Sequence, residues 1–509
     1  MENISIGRTL TVLMAGAFVA ILNQTLISVA IPHMMNDFNV SATTIQWLTT
    51  AYMLVNGVLI PITAYLIETY GTRALFLFAM VAFTVGALIC AISPNFTIIL
   101  IGRIIQATGA GVLMPLITNV FLAVFPPEKR GAAMGTMGIV MIFAPAIGPT
   151  LAGWVVQNYT WRILFYAMIP LGILDILLAL KWLKNVTKLS YPRFDTAGAI
   201  YSTIGFGALL YGFSEAGSKG WTSLLVLASF FIGVIFLLLF IWREITADTP
   251  LLDLRVFKYD VFTMSTIIGA AVNMAMLGAM ILLPIYLQNI RGFTPLQSGL
   301  LLLPGALIMG VMSPISGALF DRMGARPLAI VGLIITAITT LEFSKLTDTS
   351  TYNHIMLLYT IRMFGMSMIM MTVQTAGLNQ LPRQLGSHGT AMSNTTRQVA
   401  GSIGTALLVT VMSSRTTVHL GNYSNEITTS NPILTENINQ FGQQLALASG
   451  QAVETGSSLA IQTIYSLAAT HSTISGINDS FLVATLITVI ALFFSLFLRR
   501  AKHPGVPQK

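Results

Sequence analysis

Charge is what this 509-residue chain lacks most: Asp, Glu, Lys and Arg together make up 9% of it. An ordinary soluble domain carries about 25%, so too few charges are present to cover a water-facing surface. A hydrophobic share of 55% also excludes a disordered chain. The single cysteine, Cys90, permits no internal disulfide and excludes all-cysteine or Cys2His2 zinc sites. Six histidines (His33, His354, His388, His419, His471 and His503) are scattered through loops and helix ends, and no metal cluster stands out. No GxxxxGKS or GxxxxGKT run occurs, so ATP is not the direct energy source. No nucleophile, base and acid fall together at membrane depth, which disfavours an enzyme. Neither a cofactor nor a metal is expected.

What the chain has instead is length in apolar runs. Its mean hydropathy is +0.78, and lipid is the solvent that suits it. A spanning helix takes about 20 mostly apolar residues. Candidate spans fall near 10–32, 47–67, 74–92, 97–124, 132–157, 163–183, 196–215, 222–242, 262–288, 297–320, 327–345, 355–378, 389–413 and 479–498. These fourteen runs are too long and too evenly apolar for the alternating strands of a barrel. The first, behind Arg8, reads as a retained span rather than a cleaved signal peptide.

The net charge of +8 would suggest nucleic acid in a soluble protein. In a membrane protein basic loops set orientation instead, and no nucleic-acid partner is expected. Of the 26 Lys and Arg, eighteen fall on one face of the fourteen-span arrangement and five on the other. Arg103, Arg362 and Arg397 fall within spans. The bias places both termini in the cytoplasm. On the opposite side lies a long polar loop, 414–478, whose Lys/Arg content is Arg415 alone. Its segments 436–448 and 453–469 have the pattern of short amphipathic helices. The loop is either a solvated cap or a lid over an outward opening.

The chain also repeats itself. Ala64 to Arg73 aligns with Gly317 to Arg326, both reading small-x-Leu-x-acid-x-x-Gly-x-Arg. Gly131-Ala132-Ala133-Met134-Gly135 aligns with Gly389-Thr390-Ala391-Met392-Ser393, and Gly102-Arg103 with Ile361-Arg362. The offsets of 253, 258 and 259 residues are nearly constant, which argues for duplication. The expected architecture is all-α and polytopic. A six-helix bundle occupies 1–186, two inserted linker helices 187–260, and a second six-helix bundle 261–509, the last including loop 414–478. Parallel repeats of this kind build transporters with substrate at the midplane between halves.

With these motifs the chain resembles the major facilitator superfamily, in its fourteen-helix drug:proton antiporter branch, over nearly its whole length. The two hairpins resemble that superfamily's signature loop, degenerate at Ala64, Glu68 and Thr69 and nearly complete around Asp321. Arg103 to Gly111 resembles the fourth-helix Arg-x-x-Gln-Gly motif. Gly138 to Gly153 resembles the fifth-helix antiporter motif, and Asn23 to Pro32 the first-helix signature. That signature usually carries Asp where this chain has Asn23, a side chain that does not titrate. This Asn-Gln-Thr version is most similar to the lincomycin-resistance type of exporter.

The residues themselves suggest roles. Arg103 is costly inside a membrane, by about 2.5–3.5 kcal/mol on insertion scales, and such groups face a cavity or a partner. Gln106 shares its helix face. A cavity-facing Arg103 is expected to tune a nearby acid; the alternative is an arginine snorkelling from the helix end. Asp175 is the most deeply placed acid and the first candidate for proton carrier. Polar and thioether groups on candidate cavity faces are Asn23, Gln24, Asn273, Met276, Arg362 and Met366, methionine being suited to varied apolar cargo. Ordinary packing in lipid would account for the methionines equally well. Glu68, Arg73, Asp321, Arg322 and Arg326 form candidate latches in the hairpins, the acids able to pair with arginine or cap a neighbouring helix. Pro145, Gly148, Pro149 and Gly153 suit a bent, closely packed gate helix.

Taken together, the expectation is a monomeric exporter in a bacterial cytoplasmic membrane, moving amphipathic or lipophilic compounds in exchange for protons. A dedicated exporter of one lipid, peptide or metabolite would use the same fold. A non-transporting sensor or scaffold is the alternative of another class.

Overall fold

The computed structural model describes residues 5–40, 42–186, 189, 194–247, 250–426, 432–449 and 453–499. Lys188, Arg193, Arg500, Lys502 and Lys509, counted in the charge bias, lie outside the described residues. Among the described residues there are fifteen α-helices and no strand. In order they are α1 (Ile6–Phe38), α2 (Ala42–Ala91), α3 (Phe96–Val124), α4 (Arg130–Asn158), α5 (Arg162–Trp182), α6 (Thr196–Lys219) and α7 (Leu224–Thr246). There follow α8 (Asp260–Ile285), α9 (Pro295–Met323), α10 (Ala325–Phe343), α11 (Tyr352–Ser367), α12 (Met370–Gln380), α13 (Gly386–Glu426), α14 (Pro432–Ser449) and α15 (Val453–Leu496).

Among the described residues, eleven segments are long and apolar enough to cross a membrane. One of them, Trp47–Ala91, has 45 residues and so serves for two spans. Dividing it and adding the more polar α6 and α13 returns the fourteen spans of the sequence. The protein is a multi-pass membrane protein.

The division inside α2 comes at Gly71, with φ 74 and ψ 172. The matching break between α9 and α10 comes at Gly324, with φ 84 and ψ 178. Both lie in the left-handed region that glycine enters without a Cβ penalty. The two hairpins of the repeat therefore turn through one residue each, in the same backbone conformation. Span 355–378 is also broken, between α11 and α12 at Met368 and Ile369.

The long polar loop carries helices where the pattern of 436–448 and 453–469 suggested them, but they are longer than expected. Residues 414–426 prolong α13, α14 covers 432–449, and 453–469 belongs to a 44-residue helix running into the final span. Polar composition meant exposure there, not irregular backbone: Ser, Thr, Asn and Gln are tolerated in a helix whose outer face is wet. The arm is anchored where Arg415 Nε donates to Asp479 Oδ2 at 2.6 Å and His419 Nε2 lies 2.9 Å from the same oxygen. Along the arm, a Cβ on Gly456 would stand 2.2 Å from the Gly442 carbonyl, so α14 and α15 pack backbone to backbone.

Packing gathers into several apolar cores. One is drawn from α1–α5, with Phe76, Phe83, Phe121 and Phe165 fully enclosed. Two more are drawn from α8–α13 and α15. Helices α6 and α7 interlock through small residues, Gly205 against Leu237 and Gly233 against Leu209. The pair leans on both sides: Trp47 stacks on Tyr211 of α6, and Trp221 Nε1 donates to Thr410 Oγ1 of α13 at 2.7 Å. Helix α7 is the most apolar span and presents Phe231, Leu238 and Trp242 outward, as a lipid-facing helix should.

Candidate functional site

Asn95 caps α3 by accepting from the Ile98 amide at 3.0 Å, which fixes where the helix begins. Two turns on, Arg103 is wholly enclosed. Its Nη1 donates to Asn23 Oδ1 of α1 at 2.7 Å and to Gln106 Oε1 at 2.8 Å. Its Nε donates to the Leu48 carbonyl at 3.4 Å, and its guanidinium carbon stands 4.1 Å from the centre of the Tyr52 ring. Amide dipoles and an aromatic face compensate this cation; desolvated cation–π contacts are worth about 2 kcal/mol. The arginine does not snorkel, and among the described residues none of its hydrogen-bond partners is a carboxylate. Arg103 is met there by the amide of Asn23, at the position where the first-helix signature usually carries Asp. Gln24, next to Asn23, is partly buried.

Asp175 sits elsewhere, on α5. It is 2% exposed, and neither carboxyl oxygen has a hydrogen-bond partner among the described residues. Its neighbour is α1: a Cβ on Gly16 would stand 2.8 Å from Asp175 Oδ2, beside Phe76 and Met80. The carboxyl therefore faces the interior of the first helices rather than the inserted pair.

In the second half, Arg362 is 3% exposed on α11, and its Nε has no partner among the described residues. Met366 is buried in the same apolar core, and Met276 packs against that core. Asn273 spends its amide on the Arg397 carbonyl at 2.7 Å. Arg397 itself is a residue that sequence reasoning left among the span arginines without a role. Its Nη1 donates to Gln374 Oε1 at 3.0 Å and its Nη2 to Asn394 Oδ1 at 2.7 Å. Arg103 and Arg397 thus share a design, a guanidinium held by two carboxamide oxygens. Only polar residues at an i−3 spacing, Asn394 before Arg397, signalled this in the sequence.

The hairpin end of the molecule joins the halves twice. Asp321 at the end of α9 accepts from the amides of Gly131 and Ala132, at 2.9 and 3.0 Å, and so caps α4. Glu68 near the Gly71 turn accepts from Ser387 Oγ in the first turn of α13 at 2.6 Å, with His388 Nε2 3.6 Å away. Acids at helix N-termini are stabilising there, and the two contacts are repeat mates. Arg130 adds a bridge that the sequence did not suggest. It holds the Leu122 and Phe125 carbonyls that end α3, and it donates to Asn379 of α12 at 3.0 Å. Arg73 makes a local bond, to the Leu180 carbonyl of α5 at 2.7 Å. Arg322 and Arg326 are exposed.

Helix α4 runs unbroken through Pro145 and Pro149 and lies along α9; the side chain of Pro149 lies outside the described residues. A Cβ on Gly131 would stand 2.4 Å from the Gly317 carbonyl, and one on Gly135 would stand 2.5 Å from the Ser313 carbonyl. A Cβ on Gly148 would stand 2.2 Å from Thr25 Oγ1 of α1. Gly153 differs from expectation, for a Cβ there would meet nothing within 4 Å.

Helices, repeat and paired hairpins agree with a comparison of sequences: residues 13–405 match the Major Facilitator Superfamily. The chain belongs to that superfamily. It is a transporter and not an enzyme. It is 52% identical over 500 residues to the uncharacterized MFS-type transporter YhcA of Bacillus subtilis (strain 168), covering 98% of this chain and 94% of that one. It is 39% identical over 490 residues to the lincomycin resistance protein LmrB of Listeria innocua, covering 96% of both. Among solved structures, the human organic anion transporter MFSD10 superposes with a TM-score of 0.64 at 13% identity, covering 96% of this chain and 99% of that one. This likeness establishes the fold.

Proposed function

We propose that the chain exports amphipathic or lipophilic drugs in exchange for protons, by alternating access across a bacterial cytoplasmic membrane. The hairpin end, with both termini, faces the cytoplasm. The observation that carries this reading is the double closure at that end, Asp321 on α4 and Glu68 on α13. Two repeat-related contacts that must break together suit a rocking two-state machine. Similarity to a lincomycin resistance protein supports a drug as cargo. The enclosed, mostly uncharged partners of Arg103 suit neutral or weakly cationic compounds.

Proton coupling needs a titratable group, and Asn23 is not one. Asp175 is the proposed carrier: it is a buried carboxyl without a hydrogen-bond partner among the described residues, and in that setting the neutral acid costs far less than the anion. Regions 1–186 and 261–509 are the proposed moving bodies, with α6 and α7 leaning on both.

The test is compound-induced proton release from acid-loaded proteoliposomes, across cationic and neutral antibiotics and dyes, with the Arg103→Ala protein as control. Release with several unlike compounds is the expected result. Release with one alone would mean a dedicated exporter. Movement of labelled compound without protons would overturn the coupling, and no movement of either would overturn export of these compounds.

A further inference from the structure

The second half contains a small cavity that the transport reading does not use. Ser265, Thr266, Gln374, Ser393 and Arg397 line it, with Met370 and Phe262 among the apolar walls. Its volume is about 20 Å³, enough for one water or one monatomic ion and far below the roughly 300–1,000 Å³ of drug-sized pockets.

Its polarity is one-sided. Arg397 takes the side-chain oxygens of Gln374 and Asn394, and a guanidinium has only donors to offer. Both amides must therefore turn their NH2 groups away from Arg397. Gln374 Nε2 and Asn394 Nδ2 are buried, with no partner among the described residues, and so is Ser265 Oγ. Gln374 is 7% exposed, Asn394 7% and Ser265 4%. Unpaired buried donors cost about 1–3 kcal/mol each. No carboxylate lines the cavity, and among the described residues the side chain of Arg397 donates to amide oxygens. The cation, the orphaned donors of Gln374 and Ser265 and space for one ion coincide here, and what they lack is an acceptor with negative charge.

We propose that this cavity binds a monatomic monovalent anion, a halide. Arg397 supplies the charge, and Gln374 and Ser265 supply the donors. The bound anion completes the packing of α8, α12 and α13, and therefore favours the arrangement in which these three helices close on it. The site stands whether the cargo is a drug or a single metabolite, because it depends on none of the cargo's contacts.

The experiment is thermal unfolding of the full chain in detergent, in gluconate salts, titrated with chloride, bromide or acetate at constant ionic strength. A saturable rise in Tm is expected, because a ligand bound only by the folded state stabilises it. In Ser265→Ala and Gln374→Leu, which keep the guanidinium, half-saturation moves up several-fold. In Arg397→Gln saturation is lost. Chloride and bromide acting without acetate is the expected result; acetate acting alone would overturn the halide reading. A water-filled cavity gives no saturable rise with any of the three anions and overturns the proposal. So does an equal rise in all three variants. Chloride NMR line broadening on the wild type and Ser265→Ala gives a second readout if Arg397→Gln does not fold.

Discussion

Arg103 and Asn23 are joined by a hydrogen bond of 2.7 Å from guanidinium to carboxamide, inside the membrane and away from any bonded acid. The partner of this guanidinium is a neutral amide, which does not titrate. Asn23→Asp would place an anion at ion-pair distance from Arg103. The expected result is a folded protein whose transport acquires a new, steeper pH dependence, since closing and opening that ion pair now exchanges a proton. A pH profile of drug export in vesicles measures it, and an unchanged profile would refute the assigned contact.

Removing the amide is the harsher change. Asn23→Ala leaves a buried guanidinium short of one acceptor, and hydrogen bonds to charged groups are worth about 1.5–3 kcal/mol. A Tm lowered by several degrees and export reduced about tenfold are expected in purified, reconstituted protein.

Asp321 receives two backbone amides, and an asparagine has a single oxygen to offer them. Asp321→Asn should therefore loosen the hairpin end while leaving the membrane abundance intact. Cysteine labelling reads this cleanly, since the chain's single cysteine, Cys90, is buried. A reporter cysteine introduced beside Asn379 is expected to react faster in the Asn variant; equal rates would show that the contact does not hold the halves.

The glycines of α4 and α9 separate by position. Gly317→Ala puts a Cβ 2.1 Å from the Gly131 carbonyl, and overpacking of this kind costs about 1–3 kcal/mol. Gly153→Ala meets open space and should be tolerated or slightly stabilising, since alanine is the better helix former. Thermal unfolding and transport of the two variants, measured side by side, decide it.

Asp175→Asn keeps the volume of a side chain whose oxygens accept no hydrogen bond among the described residues, so folding should survive. Proton release on drug addition is expected to disappear. Retained proton-driven export in this variant would remove Asp175 from the coupling path.

The parts of the fold legible in the sequence were those with a period or a repeat. Apolar runs gave the spans, and the shared small-x-Leu-x-acid-x-x-Gly-x-Arg pattern gave two hairpins whose glycines do take the same left-handed turn. In the arm, the amphipathic pattern of 436–448 and 453–469 marked helices, but not that α13 and α15 carry on unbroken from their spans, since polar residues do not forbid a helix facing water. At the site, a buried Arg103 followed from its depth, but its partners did not. Which carboxamide meets a guanidinium depends on how α1, α2 and α3 cross. Arg397 escaped notice for the same reason: its amide partners come from two helices, and only Asn394 is near in sequence.

Helix α15 has 44 residues, about 66 Å of continuous rod at 1.5 Å per residue. A bilayer core takes about 30 Å of that, leaving roughly half outside. The projecting half is stiffly joined to the transmembrane half, so it works as a pointer. A tilt of about 10° in the membrane would sweep its free end through roughly 6 Å, by the same helix geometry. Dyes placed near Thr455 would show a turnover that stays hidden in the lipid.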